Sequence, residues 1–248
     1  MPEPVVDHPL VIAHRGASVS APGNTLPAFA LAVAHDADGI ELDVRRTADG
    51  ILAVHHDPTL TDGRPVTELT FSELRAALPE VISLDDVLAV AGDLLINIEI
   101  KNDPSEPAFD SARTVSDAVV AWIARNQVAW RVVVTSFDAA SVDRVRTLDP
   151  VIPTGRLVGQ VDDLEATIAD VAAGGHQWIV PNHSVFTGHT RDAAIVALAH
   201  EHGLRMMVWT LDDPDRMLAL AAANIDGLIT NDPALAVATL SGAPTASG

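Results

Sequence analysis

The sequence predicts a closed (β/α)8 barrel, a TIM barrel. Three observations carry this. The chain has 248 residues, a common length for a single barrel of this class. Eight short runs rich in Val, Ile and Leu punctuate it, as parallel strands buried on both faces should. Helix-start signals fall between most of those runs, which makes them βα units of a parallel sheet. An open, doubly wound sheet is the competing arrangement.

The first run, LVIAH (10–14), stops on His14, Arg15 and Gly16, and Thr25 then starts the helical stretch LPAFALAVAH. The second run is GIELDV (39–44). ILAVHHD (51–57) follows after only TADG, too short a link for a parallel neighbour. With Asp49-Gly50 as a two-residue turn, it reads as a hairpin returning along the second strand. Residues 45–93 are therefore expected as a small insertion over the barrel mouth. It carries two helices opened by capping boxes, Thr70 with Glu73 and Ser83 with Asp86. The remaining strands are LLINIEIK (94–101), RVVVTSF (131–137), IPTGRLV (152–158), QWIVPN (177–182), RMMVWTL (205–211) and DGLITN (226–231). Asp213-Pro214 and Asp232-Pro233 each place a cap before a proline at the first helical position. A single domain over 1–240 is expected, with SGAPTASG (241–248) as a flexible tail.

Composition narrows the partners. The absence of cysteine excludes disulfides and thiolate metal sites. No apolar run is long enough to span a membrane, and MPEPVVDHPL lacks the basic and apolar regions of a signal peptide, so a cytoplasmic location is expected. A net charge of −19 disfavours nucleic acid and anionic membrane surfaces. A small anion can bind only where Arg, Lys, a helix N-terminus or a metal makes the local potential positive. The Ala-rich helices show no apolar stripe that would fix an oligomeric state.

Strand ends are where a barrel carries its chemistry. The first strand ends on His14 and Arg15. The second presents Glu41 and Asp43, two apart and so on one face; the third presents Glu99 and Lys101 in the same way. The hairpin adds His56, which the two-residue turn sets directly opposite Asp43. Three carboxylates in one mouth call for a divalent cation, and their hard oxygens suit Mg²⁺, Ca²⁺ or Mn²⁺. Two histidines can give and take protons near neutral pH, and Arg15 and Lys101 suit phosphate oxygens. Together these groups describe metal-assisted phosphodiester cleavage. Each has an ordinary reading alone: His14 as a strand-end histidine, Glu41 and Asp43 as partners of Arg45 or Arg46. Their coincidence at strand ends favours a site. His35, His176, His200 and His202 read as surface residues on helices or their ends, and His55 as pointing away from His56.

These residues resemble the glycerophosphodiester phosphodiesterases. The resemblance is carried by HRG (14–16), the NT of APGNT (21–25), DGIELDVRRTADGILAVHHDPTL (38–60), INIEIK (96–101), VVVTSFD (132–138), VWTLDDP (208–214) and DGLITNDP (226–233). It implies the same barrel, with His14 and His56 as acid/base residues, Glu41, Asp43 and Glu99 as metal ligands, and Arg15 and Lys101 on the phosphate. It implies a small anionic phosphodiester as substrate, cleaved to glycerol 3-phosphate and an alcohol. Trp209 resembles a tryptophan near the family's mouth, with barrel core as its other reading. The chain departs from the family's usual residues at Gly23 (Glu there), Asp212 (Asn there) and Asn231 (often Asp there). The sequence leaves open the metal, the division of roles between the histidines, and whether a substrate hydroxyl or water attacks. It also leaves open a lysophospholipid or glycerol-polymer substrate and a non-catalytic binding barrel.

Overall fold

The eight apolar runs become eight parallel strands that close on themselves. The computed structural model describes residues 8–161 and 163–242. The barrel strands are β1 (Leu10–His14), β2 (Gly39–Arg46), β5 (Leu95–Ile100), β6 (Val132–Ser136), β7 (Thr154–Val158), β8 (Trp178–Pro181), β9 (Arg205–Val208) and β10 (Gly227–Thr230). β1 pairs in parallel with both β2 and β10, which closes the ring and rules out the open sheet. Helices α1 (Leu26–Ala34), α4 (Thr114–Asn126), α5 (Ala139–Leu148), α6 (Leu164–Ala173), α7 (His189–Glu201), α8 (Pro214–Ala222) and α9 (Pro233–Ser241) alternate with the strands. The caps fall where the sequence sets them: Thr25, Asp213 and Asp232 each accept from a first-turn backbone N–H. The N-terminal residues 1–7, and 243–248 of the proposed tail, lie outside the described residues, while Ser241 closes α9.

Alternation along each strand sorts the side chains. On β2, Ile40, Leu42 and Val44 face the helices and are fully buried in one cluster with Phe29 of α1 and with Ile96, Ile98 and Ile100 of β5. Each such burial contributes about 1.5–3 kcal/mol, so the outward face fixes the strand's rotation. The intervening Glu41, Asp43, Asn97 and Glu99 are thereby driven into the barrel. Ile12, Val133, Leu157, Trp178, Met207 and Ile229 form a separate apolar cluster that also involves Trp209.

Between β2 and β5 the chain forms β3 (Leu52–Val54), α2 (Phe71–Ala77), β4 (Ile82–Ser83) and α3 (Leu84–Val87). Both capping boxes are present. Ala53, Leu60, Val66, Leu69, Leu74 and Val81 give this segment a small core of its own. Leu84 and Val87 of α3 instead join the cluster beneath β2, so this four-residue helix stands where a full crossover helix would.

The hairpin exists, but its register is one residue away from expectation. Val44 pairs with Val54 and Arg46 with Leu52, and the N–H of His55, not His56, reaches the Asp43 carbonyl, at 2.9 Å. The cause is the turn. Thr47 closes on Ile51 across three residues, with Gly50 at φ +86 as the left-handed residue. The Thr47 hydroxyl, held by the Asp49 carboxylate and the Ile51 backbone, fixes this longer loop. A second correction concerns His176, which is buried rather than on the surface. Its Nδ1 lies 2.8 Å from Thr154 Oγ1 and its Nε2 3.3 Å from Asp143.

Candidate active site

β1 ends at His14, and the chain then turns through two left-handed residues, Arg15 (φ 58) and Gly16 (φ 81). A Cβ on Gly16 would lie 2.6 Å from the Ala28 carbonyl carbon, so only glycine lets this turn pack on α1. The turn carries Arg15 off the strand's alternation and over the mouth. Its Nε reaches Asp43 Oδ2 at 3.0 Å, and its backbone N–H donates to Glu41 Oε2 at 3.0 Å. Two adjacent residues that alternation would send to opposite faces thus serve one site.

β2 and β5 run in register, with Glu41 beside Asn97 and Asp43 beside Glu99. Carboxylate oxygens of Glu41, Asp43 and Glu99 lie within 4.8 Å of one another, and all three residues are buried. Lys101 bridges two of them, with Nζ 3.1 Å from Asp43 and 2.5 Å from Glu99. Asn24 Nδ2 donates to Asp43 Oδ2 at 2.7 Å. His14, Arg15, Glu41, His56, Asn97, Glu99 and Lys101 line a cavity of about 210 Å³ whose other walls are Phe137, Leu157, Trp209 and Ile229. Every residue the sequence nominated lines this cavity except Asp43, which sits behind Arg15 and Lys101 at zero exposure. His56 lines it despite the shifted register: β3 ends at Val54, and past the His55 bond to Asp43 the His56 carbonyl accepts from Arg45 Nε at 2.8 Å.

The electrostatics are uneven. Burial, reinforced by Asp43, pushes the Glu41 carboxyl up to about 8. Burial also pushes Glu99 to about 8, against the opposing pull of Lys101. Burial raises Asp43 too, but Lys101 and Arg15 outweigh it and hold this carboxyl below its ordinary value. Three carboxylates therefore share two cations: buried Asp43 Oδ1 and Glu99 Oε1 have only the Lys101 ammonium, and buried Glu41 Oε1 has neither a hydrogen bond nor an ion pair among the described residues. A hard divalent cation fits this all-oxygen set, since it would supply the missing charge and the missing partner together. Burial holds His14 and His56 below the ordinary histidine range, so both favour the neutral, proton-accepting form.

Two features escaped the sequence reading. Asn97 Nδ2 is a buried donor without a partner among the described residues, while its Oδ1 accepts from Thr135 at 2.9 Å. Phe137 stacks edge-on to Trp209 at 5.5 Å, which sets Trp209 as cavity wall, with its Nε1 donating to the Val180 carbonyl. Alternation from Glu99 could have found Asn97. For Phe137, only its place just past a strand end pointed to the mouth.

The model of the glycerophosphoryl diester phosphodiesterase family matches residues 14–235. The chain is 30% identical, over 246 residues, to a glycerophosphodiester phosphodiesterase of Caldanaerobacter subterraneus subsp. tengcongensis; the match spans 90% of this chain and 94% of that one. The solved glycerophosphodiester phosphodiesterase of Thermotoga maritima shares its fold with a TM-score of 0.78 and 27% identity, over 93% of this chain and 98% of that one. An Oleispira antarctica phosphodiesterase, solved with its product sn-glycerol-3-phosphate, shares the fold with a TM-score of 0.77 and 21% identity, over 94% and 96% of the two chains.

Proposed function

The chain belongs to the glycerophosphoryl diester phosphodiesterase family, and from that premise we propose that it hydrolyses glycerophosphodiesters to glycerol 3-phosphate and an alcohol. The observation that supports this best is the joint lining of one cavity by two histidines, two cations and two carboxylates, Glu41 and Glu99, with Asp43 clustered behind them. Glu41, Asp43 and Glu99 would hold a divalent cation, which when bound polarises the phosphoryl oxygens. With the carboxylates so occupied, the charges of Arg15 and Lys101 become available to the phosphodiester anion. One histidine takes the proton of the attacking hydroxyl, from water or from the substrate's own glycerol. The other must enter the step as the imidazolium, and its proton goes to the departing alkoxide as the bond to phosphorus breaks. The apolar wall of Phe137, Leu157, Trp209 and Ile229 suits the carbon skeleton of the organic part.

A substrate panel tests this reading. Glycerophosphocholine and glycerophosphoethanolamine are expected to release glycerol 3-phosphate, and EDTA to stop the release. Turnover confined to a lysophospholipid or a glycerol-polymer unit would move the substrate class. Binding without any turnover would make this a non-catalytic barrel.

The raised carboxyls also set a pH dependence. A group whose folded pKa exceeds its unfolded value contributes stability below the unfolded pKa and loses it as pH rises through the folded one. Without cation, Glu41 and Glu99 therefore cost stability progressively from the ordinary carboxylate range up to about 8. Cation binding must displace their protons, so it strengthens over the same window. The Tm gained from a fixed excess of Mg²⁺, Ca²⁺ or Mn²⁺ is expected to be larger at about pH 9 than at about pH 6. A thermal melt series checks this, and a gain that is flat or falls with pH would count against these ligands.

A further inference from the structure

We propose that Asn231 and Asp212 are positioning residues that hold the proton of His14 on Nδ1, leaving Nε2 as the atom that exchanges a proton with substrate. The proposal rests on the reading of His14 as an acid/base residue.

The polarity of a hydrogen-bonded chain carries it. The Asp212 carboxylate can only accept. Its Oδ1 receives the Thr230 hydroxyl at 2.8 Å and the Asn231 backbone N–H at 2.8 Å, and its Oδ2 receives Asn231 Nδ2 at 2.6 Å. The Asn231 amide must therefore turn its NH₂ towards Asp212. Its oxygen then faces the other way, where the Ser18 hydroxyl donates to it at 3.0 Å and His14 Nδ1 lies 2.7 Å away. An amide oxygen also only accepts, so His14 Nδ1 must carry a hydrogen. In a neutral imidazole the lone pair is then on Nε2. That atom is the one directed to the carboxylate cluster, 4.0 Å from Glu41 Oε2.

Asn231 alone could not enforce this. A side-chain amide flipped by half a turn keeps its shape and would offer NH₂ to His14, which calls for the opposite tautomer. Asp212 forbids the flip, because it would set the amide oxygen against a carboxylate. Asp212 is itself pinned by the two donors on Oδ1. The Val19 N–H donates to the Asn231 carbonyl at 3.1 Å and fastens the loop after β1 to the same residue. His14 ends β1, Asn231 directly follows β10, and Asp212 lies in the loop between β9 and α8.

The test replaces the anchor and then rebuilds it in reverse. In Asp212→Asn the partner offers both a donor and an acceptor, so the Asn231 amide is free to flip. The kcat on glycerophosphocholine is expected to fall by about tenfold to a hundredfold with KM nearly unchanged. ¹⁵N NMR of His14 is expected to show the Nδ1–H tautomer in the wild type and a mixture in the variant. In the double variant, Asp212→Asn with Asn231→Asp, the new carboxylate accepts from His14 Nδ1, and the new amide at position 212 turns its NH₂ to that carboxylate. The kcat is then expected to recover to within about threefold of wild type. An Nε2–H tautomer in the wild type would overturn the proposal. So would full activity in Asp212→Asn, or a double variant as slow as the single one at wild-type Tm. A wild type with the Nδ1–H tautomer but no turnover of any glycerophosphodiester would instead sink the catalytic reading.

Discussion

His14→Ala and His56→Ala are each expected to lower kcat on glycerophosphocholine by about 10²–10⁴-fold, the range set by losing one general acid or base. The effect is expected in kcat rather than in folding. Both side chains are partly exposed at the cavity, at 21% and 41%. Neither belongs to an apolar cluster, so neither substitution opens a cavity in the core. Removing His14 leaves the Asn231 oxygen bonded to Ser18, and removing His56 leaves Asp57 in solvent. Neither change strands a buried polar group. Circular dichroism and the thermal melt should therefore match wild type while turnover collapses. Full turnover in either variant would remove that histidine from the mechanism. A collapse that tracked a lost melt would make its role structural.

The strand and helix pattern was legible because burial on both faces leaves long marks in the sequence. Runs such as IELDV and INIEI alternate so regularly that the inward carboxylates could be read off once the outward isoleucines were assigned to the helix layer. The joint placement of Glu41, Glu99 and Lys101 follows from that alternation and the β2–β5 register. What the sequence misplaced depends on single torsions. Gly50 in the left-handed region turns a two-residue loop into a three-residue one and moves the hairpin register by one. A slip of one residue turns Leu52 and Val54 to the other face, and in the observed register both join Val44 in the apolar layer beneath the helices. The burial of His176 was also illegible, since it turns on one hydroxyl, Thr154, meeting it from a neighbouring strand. The departures at 212 and 231 stand 19 residues apart, and nothing in the sequence links them. In the fold they are one hydrogen-bonded pair, an interaction that local reading could not join across β10.

Asp43 carries the largest expected stability effect, because it is the one carboxylate on which the site's charges converge. It is fully buried and meets Arg15 at 3.0 Å, Lys101 at 3.1 Å and Asn24 at 2.7 Å. Asp43→Ala would leave the Arg15 guanidinium without its ion partner, the Asn24 amide without its acceptor and Lys101 with Glu99 alone. Breaking a buried pair by removing one partner costs about 3–5 kcal/mol. Arg15 is 30% exposed and can recover some hydration, which places the expected loss at the lower end. Asp43→Asn keeps the shape and an acceptor for Asn24 but loses the charge, so a smaller loss is expected. Both variants are expected to lose the Tm gain from divalent cation, and kcat by at least about a hundredfold, since losing preorganised electrostatic stabilisation costs that much. Urea unfolding with and without cation separates the two contributions. The histidine variants should keep the cation response that the Asp43 variants lose. An Asp43→Asn protein with wild-type cation stabilisation would show that the cation is held elsewhere and that Asp43 serves only to fix Arg15 and Lys101.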